Sequence, residues 1–116
     1  MVAAPHSPFD AQDNLNVEAV KTQADRLFDT GVAGAFICGT TGECTSLTTI
    51  ERMQLAEAWM AAVDGRFGVI VHVGHTSQKE ASQLASHAEQ IGAAGIASVA
   101  PYYFKPNGPE SLAEWL

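Results

Sequence analysis

The sequence predicts an α/β protein in which parallel β-strands alternate with helices. Short apolar runs lie at residues 1–4, 33–38, 67–73 and 95–100, the first being only the end of a strand. None of them alternates polar with apolar residues, which is typical of strands covered on both faces. Segments with helical periodicity separate the runs, and the pattern of residues 30–37 recurs at 91–98. We therefore expect a chain of repeated strand–helix units.

Start and stop signals support each predicted helix. Asn16 is a candidate N-cap, and Thr48–Glu51 and Ser77–Glu80 are candidate capping boxes. Gly108-Pro109 is predicted to begin a fourth helix, with proline at its favoured first position. The predicted apolar stripe of the first helix comprises Val17, Val20, Ala24, Leu27 and Phe28. The predicted stops are Gly31, Asp64-Gly65 and Gly92.

Parallel strands joined by helices fit either a closed barrel or an open doubly wound sheet. A (β/α)₈ barrel takes about 250 residues, and this chain has 116. Its first strand has almost no lead-in, and its last helix stops on apolar residues, Trp115 and Leu116, without a cap. We expect residues 1–116 to be the N-terminal part of a single domain that is truncated at both ends.

Composition narrows the classes of partner. The formal net charge is −7, and an acidic surface repels nucleic-acid phosphates and anionic lipids, so we expect neither nucleic acid nor membrane as a partner. We expect no signal peptide, because no basic segment followed by an apolar run opens the sequence, and no apolar stretch reaches the roughly 20 residues of a membrane helix. Cys38 and Cys44 form no C-x-x-C pair, so neither a disulfide framework nor a zinc site is indicated. We expect a reducing, cytoplasmic compartment.

The loop Gly39-Thr40-Thr41-Gly42-Glu43 directly follows the second predicted strand. In a parallel α/β fold this is the carboxyl edge of the sheet, where active sites form. Glycines allow a tight turn that exposes N–H groups, and two hydroxyls add donors, so the loop suits a carboxylate or carbonyl oxygen. The alternative is an ordinary solvated connection. Glu43 is a candidate base, but a hydrogen bond within its own loop is the simpler expectation.

Two further segments lie at the same edge. Pro101–Pro106 holds Tyr102 and Tyr103, whose hydroxyls can relay protons, although aromatic packing is the simpler alternative. Lys105 is expected at the surface, because nothing near it would lower its pKa. His72 and His75 are three residues apart, which places them on opposite faces of a strand, and no third ligand is evident. We expect a packed or solvated histidine pair and no metal.

In this order, the motifs resemble those of the N-acetylneuraminate lyase / dihydrodipicolinate synthase family. Gly39–Glu43 matches its G-[ST]-T-G-E motif, and Pro101–Pro106 its P-[YF]-[YF]-x-[KR]-P block. The other matching segments are Ser7–Phe9, Leu47 with Glu51 and Arg52, Val71–Gly74, Leu84–Ala88 and Gly92–Gly95. The resemblance covers essentially the whole chain. Residues 37–43 and 69–74 are closer to the N-acetylneuraminate lyase branch than to the lysine-biosynthesis branch.

The resemblance implies a (β/α)₈ barrel, of which this chain holds about the first four βα units, in an enzyme that is usually a tetramer. Such enzymes bind pyruvate as a Schiff base on a lysine and make or break a carbon–carbon bond to an aldehyde or amino sugar, without a cofactor. Gly39, Thr40 and Thr41 would bind the pyruvate carboxylate. Thr40 or Thr41 would also join a proton relay that Tyr103 completes, in some members across a subunit contact.

The chain departs from the family at its end. The family's catalytic tyrosine follows the fifth strand and its Schiff-base lysine lies on the sixth, and this chain stops before both. Lys21, Lys79 and Lys105 match neither role, so we predict that these 116 residues alone are inactive. Two other hypotheses stay open: a non-catalytic half-barrel that pairs with itself or a second chain, and a small α/β module that uses the Gly39–Glu43 loop as an anion site.

Overall fold

The predicted strands form one parallel sheet. A computed structural model of the protein describes residues 1–99. Its strands are β1 (Val2–Ala3), β2 (Gly34–Ile37), β3 (Gly68–His72) and β4 (Gly95–Ala97). Its helices are α1 (Ala19–Thr30), α2 (Thr49–Val63) and α3 (Gln78–Gln90), with a short 3₁₀ helix at Cys44–Ser46. Each strand lies within its predicted run, and the predicted fourth helix lies outside the described residues.

Strand order in the sheet equals strand order in the chain. The sheet runs β1-β2-β3-β4, and every neighbouring pair is parallel. Right-handed crossovers between successive parallel strands put all connecting helices on one face. A doubly wound sheet would instead reverse its order at a switch point. The part of the chain that is described therefore has the sequential winding of a barrel wall.

The core lies between the sheet and this single layer of helices. Alternate strand residues point towards the helices, and Ile37, Val69 and Val71 are each at most 3% exposed. Trp59 and Leu55 of α2 pack against them and are each 1% exposed. On the opposite face of the sheet, Phe36 and its register partner Ile70 are only partly buried. This second face corresponds to the interior of a barrel.

The predicted start and buried stripe of the first helix need correction. Asn16 does not cap α1, which begins two residues later with Glu18 at its N-cap and no side-chain cap bond. The reason is that the chain first forms a turn in which the backbone N–H of Ala19 donates to the Asn16 carbonyl at 3.3 Å. Val17 and Phe28, predicted on the buried stripe, are 39% and 46% exposed.

The two predicted capping boxes differ in completeness. At α2 both bonds form: the Glu51 N–H donates to Thr48 Oγ1 and the Thr48 N–H donates to the Glu51 carboxylate. At α3 only the Ser77 hydroxyl accepts from the Glu80 N–H. The carboxylate of Glu80 instead accepts from the Thr49 hydroxyl, which links the starts of α2 and α3.

Candidate active site

The Gly39–Glu43 loop lies at the carboxyl edge of the sheet, immediately beyond β2, as predicted. Gly39 and Gly42 are buried, whereas Thr40 and Thr41 are exposed. The backbone closes the loop on itself, because the Glu43 N–H donates to the Thr40 carbonyl at 3.0 Å. Glu43 thus does bond within its loop, but through its backbone. Within residues 1–99 neither threonine hydroxyl has a hydrogen-bond partner.

Close packing explains the two loop glycines. A Cβ on Gly42 would lie 2.9 Å from the Cys38 nitrogen and 3.0 Å from its Cα. A Cβ on Gly39 would lie 2.5 Å from the ring of Phe36. Real Cβ atoms do not come this close, so a side chain at Gly42 would push the loop away from the end of β2, and one at Gly39 would displace the Phe36 ring or the loop. The two glycines therefore let the loop, with its two threonines, pack closely against the end of β2.

The loop begins and ends in unusual backbone conformations. Cys38, just before it, has φ 60°, and its last residue, Glu43, has φ 57°. Non-glycine residues rarely adopt the left-handed region, at a cost of about 1–2 kcal/mol. Such conformations persist where surrounding contacts enforce them, and they concentrate at ligand sites. The contacts at each end of the loop therefore decide its shape.

Ser7 holds the far end of the loop. Its hydroxyl donates to the carbonyl oxygen of Gly42 at 2.5 Å, and the residue is only 3% exposed. A buried bond of this kind is costly to lose, because the Gly42 carbonyl would be left without a partner. Ser7 belongs to a segment that matches the family motifs, but the sequence alone does not indicate its role at the site.

Arg52 and His72 lie at the near end of the loop and are 2% and 4% exposed. Arg52 Nη1 donates to the Gly74 carbonyl at 2.8 Å, and Nη2 donates to the His72 carbonyl at 2.6 Å. The same Nη2 is 3.3 Å from His72 Nδ1. No carboxylate among residues 1–99 pairs with Arg52, so carbonyl dipoles at the end of β3 balance its charge.

Electrostatics keep the neighbours of Arg52 neutral. Burial, and then the Arg52 charge, lower the pKa of His72, and a hydrogen bond to the backbone of Cys38 opposes them. Burial raises the pKa of the Cys38 thiol to about 11, against a smaller lowering by Arg52. At neutral pH the cluster thus contains one charge, and the Cys38 thiol is protonated and unsuited to nucleophilic attack.

His75 does not share a strand with His72. The prediction that the two lie on opposite faces of one strand is wrong, because β3 ends at His72. His75 Nδ1 instead accepts from the Ser77 N–H at 2.9 Å, just before α3. Among residues 1–99 no three potential ligands group together in a way that could hold a metal ion.

Two residues that the sequence singles out lie outside the residues that the structure describes. They are Tyr103, predicted to complete the proton relay, and Lys105. None of the three helices in residues 1–99 is long and apolar enough to cross a membrane.

The amino-acid sequence matches the Dihydrodipicolinate synthetase family over residues 1–114. It is 42% identical over 118 residues to N-acetylneuraminate lyase of Gallus gallus, covering 100% of this chain and 38% of that protein. It is 43% identical over 109 residues to a probable 2-dehydro-3-deoxy-D-pentonate aldolase of Escherichia coli (strain K12), covering 94% of this chain and 36% of that protein.

Solved structures give the same result. N-acetylneuraminate lyase of Proteus mirabilis superposes with a TM-score of 0.95 at 37% identity, over 98% of this chain and 39% of that one. Dihydrodipicolinate synthase of Aquifex aeolicus superposes with a TM-score of 0.93 at 33% identity, over 98% and 38%. The chain thus spans about 38% of these relatives' length. The predicted (β/α)₈ barrel fold is confirmed, and the chain belongs to the dihydrodipicolinate synthetase family.

Proposed function

We propose that this chain supplies the carboxylate-binding loop of a pyruvate-dependent carbon–carbon lyase that cleaves N-acetylneuraminate into N-acetylmannosamine and pyruvate. The observation that carries the proposal is the pair of exposed hydroxyls of Thr40 and Thr41, which have no partner among residues 1–99, on a loop fixed between buried Gly39 and Gly42. Hydroxyl and backbone N–H donors on a rigid loop suit an anion that must keep one orientation during the reaction.

The chemistry requires groups beyond the loop. In the proposed mechanism a lysine amine condenses with the pyruvyl carbonyl, and the resulting iminium withdraws electrons from the carbon–carbon bond that breaks. Lys21, Lys79 and Lys105 do not match that lysine in the family motifs, so the 116 residues alone are proposed to be inactive. Thr41 and Tyr103 are proposed to relay a proton, and a subunit contact that completes the relay makes a homo-oligomer part of the proposal.

The identity of the second product can be tested directly. Identities of 42% to a lyase and 43% to an aldolase that acts on another acid support two substrates about equally. We expect faster cleavage of N-acetylneuraminate than of 2-dehydro-3-deoxy-D-pentonate, because residues 37–43 and 69–74 resemble the lyase branch. The reverse order would assign the protein to the pentonate aldolases, and pyruvate condensation without cleavage of either acid would favour a dihydrodipicolinate synthase-like reaction.

Borohydride trapping tests the whole proposal. The protein, purified from its source organism, is weighed intact before and after reduction with pyruvate. A mass well above 12.2 kDa, with a reduced pyruvyl adduct, is the expected result. A mass of 12.2 kDa without an adduct would contradict the lyase and support a half-barrel or an anion-binding module. We also propose a cytoplasmic location, which the free thiols of Cys38 and Cys44 support.

Substitution of the loop hydroxyls tests the proposed roles. Thr40→Val and Thr41→Val remove a donor to a charged group while keeping side-chain volume, so we expect the Michaelis constant of the pyruvate-derived substrate to rise about tenfold or more. Thr22→Val is the matched control, since Thr22 is exposed on α1 and without a partner within residues 1–99. Equal Michaelis constants for the two loop variants and the control would mean that this loop does not bind the carboxylate.

A further inference from the structure

The proposed function leaves the buried cluster of Arg52, His72 and Cys38 without a task. Its geometry restricts the imidazole of His72 to one tautomer. A guanidinium can only donate hydrogen bonds, so the contact of 3.3 Å between Arg52 Nη2 and His72 Nδ1 requires Nδ1 to accept. The ring proton is then on Nε2, and the ring is neutral.

The proton on Nε2 needs an acceptor, because the ring is buried. Cys38 offers one: it follows Ile37 as His72 follows Val71, and Ile37 and Val71 are register partners, so Cys38 and His72 lie beside each other at the ends of β2 and β3. The backbone of Cys38 raises the pKa of His72, as a carbonyl oxygen that accepts from the ring would. Cys38 is the residue with φ 60° from which the chain turns out of β2 into the Gly39–Glu43 loop. The contact therefore acts on the strained residue at the near end of the loop.

We propose that Arg52 and His72 are positioning residues for the Gly39–Glu43 loop: Arg52 fixes His72 as the Nε2–H tautomer, and His72 donates to the Cys38 carbonyl oxygen, which holds Cys38 in its left-handed conformation. The inference rests on the proposed function only for the identity of what the loop binds. Arg52 and Ser7 together then fix both ends of the loop from outside it.

The surroundings of the ring favour this role over simple space filling. Phe36 meets the imidazole edge-on, with ring centroids 6.0 Å apart and planes at 84°. A Cβ on Gly74 would lie 2.7 Å from His72 Cε1 and 2.8 Å from Nε2, so the ring needs a glycine beside it. The forked guanidinium reaches two carbonyls and the ring with two nitrogens, which the single nitrogen of a lysine cannot do.

The first test needs no substitution. Nitrogen-15 NMR of the imidazole in the full-length protein near pH 7 distinguishes the two neutral tautomers and the cation. We expect an unprotonated Nδ1 and a protonated Nε2 for His72. A proton on Nδ1 would overturn the proposal, because Arg52 would then face a donor and could not fix the ring.

The second test uses two variants of the same residue in the full-length protein. His72→Gln keeps an N–H donor near the position of Nε2, whereas His72→Phe keeps the ring and its contact with Phe36 but has no donor. We expect His72→Phe to raise the Michaelis constant of the proposed substrate, N-acetylneuraminate, about tenfold with a smaller change in kcat. The Michaelis constant of His72→Gln should stay near that of the wild type. A packing role predicts the opposite ranking, and that ranking would overturn the proposal.

Amide hydrogen exchange of Thr40 and Thr41 separates this inference from the proposed function. We expect faster exchange in His72→Phe than in His72→Gln, whether or not pyruvate binds. If wild type forms no pyruvyl adduct, the proposed function fails while the exchange result still decides the positioning role. Equal exchange in both variants would overturn it. If a His72 variant does not fold, Arg52→Lys replaces it, with faster exchange expected and unchanged exchange contradicting the proposal.

Discussion

Glycines occur at both edges of the sheet, but different forces select them. At the carboxyl edge, a Cβ on Gly42 or Gly74 would come within 3.0 Å of a neighbouring atom. At the amino edge, Gly31 and Gly92 end helices with φ of 83° and 80°, and a Cβ on either would meet nothing within 4 Å. Space limits the residue at Gly42 and Gly74, whereas backbone conformation limits it at Gly31 and Gly92.

Two arginines show the same contrast. Arg52, at the carboxyl edge, is 2% exposed and donates to carbonyls without a carboxylate among residues 1–99. Arg66, at the amino edge, has a side chain 30% exposed, pairs with Asp25 at 2.8 Å and lies over the ring of Phe28. Water can replace a lost partner at the amino edge but not at the carboxyl edge. The edge that carries the candidate site should therefore be the more sensitive to substitution.

Loss of Arg52 should have the largest effect. Arg52→Met leaves the carbonyls of His72 and Gly74 buried without a donor, at about 1–3 kcal/mol for each unsatisfied group. We expect the free energy of unfolding to fall by about 3 kcal/mol, measured by chemical denaturation. Arg26→Met is the matched control, because Arg26 is exposed on α1, and it should change stability by less than about 0.5 kcal/mol. A small loss for Arg52→Met would mean that water reaches these carbonyls.

Replacing a loop glycine by alanine should give the next largest loss of stability. A second substitution should restore stability at Gly39 but not at Gly42. Gly42→Ala collides with the backbone of Cys38, whereas Gly39→Ala collides with the Phe36 side chain. We expect each to cost about 2 kcal/mol, as overpacking does. Adding Phe36→Leu should recover stability in Gly39→Ala but not in Gly42→Ala. Recovery of stability in both variants would mean that the Phe36 side chain also limits the space at Gly42, contrary to the contact with the Cys38 backbone.

Gly31 at the amino edge should give a smaller loss of a different kind. Gly31→Ala forces a residue with a Cβ to φ 83°, which costs about 1 kcal/mol. Asparagine tolerates this conformation better, so Gly31→Asn should recover part of the loss in thermal unfolding. Gly42→Asn should be no better than Gly42→Ala, because space is limiting there. If asparagine recovered stability relative to alanine equally at both positions, the two glycines would not be limited by different factors.

Local sequence patterns predicted most of the fold. Apolar runs gave the positions of β2 and β3, and capping residues gave the start of α2, because these signals act over a few residues. Asn16 failed as a cap because the turn before α1 competes for the same backbone groups. The position of the Gly39–Glu43 loop was predictable as well, since a connection after a parallel strand lies at the carboxyl edge.

The contacts that shape the loop were not predictable from the sequence. Ser7 bonds Gly42 across 35 positions, and Arg52 bonds His72 across 20. A serine near a proline and an arginine inside a helix are common and carry no signal of distant carbonyl partners. Arg52 would ordinarily be expected in solvent, and only the packed fold shows that it is buried.

Asp25 at the amino edge should give the smallest effect and the strongest dependence on solution conditions. Hydrogen bonds from Lys21 and then Arg66 lower its pKa below the ordinary 3.8. A lowered carboxyl pKa stabilises the fold at pH values above 3.8, and this contribution is lost as the pH falls through the folded-state value. Asp25→Asn should therefore destabilise slightly at pH 7, and progressively less as the pH falls below 3.8. Raising the salt from about 0.1 to 1 M, which shortens the screening length from about 10 to 3 Å, should shrink the effect.

Asp29→Asn, on the same helix and without an ion pair among residues 1–99, is the control. A loss at Asp25 that resists both acid and salt would mean that its ion pairs are shielded from solvent, as at the opposite edge.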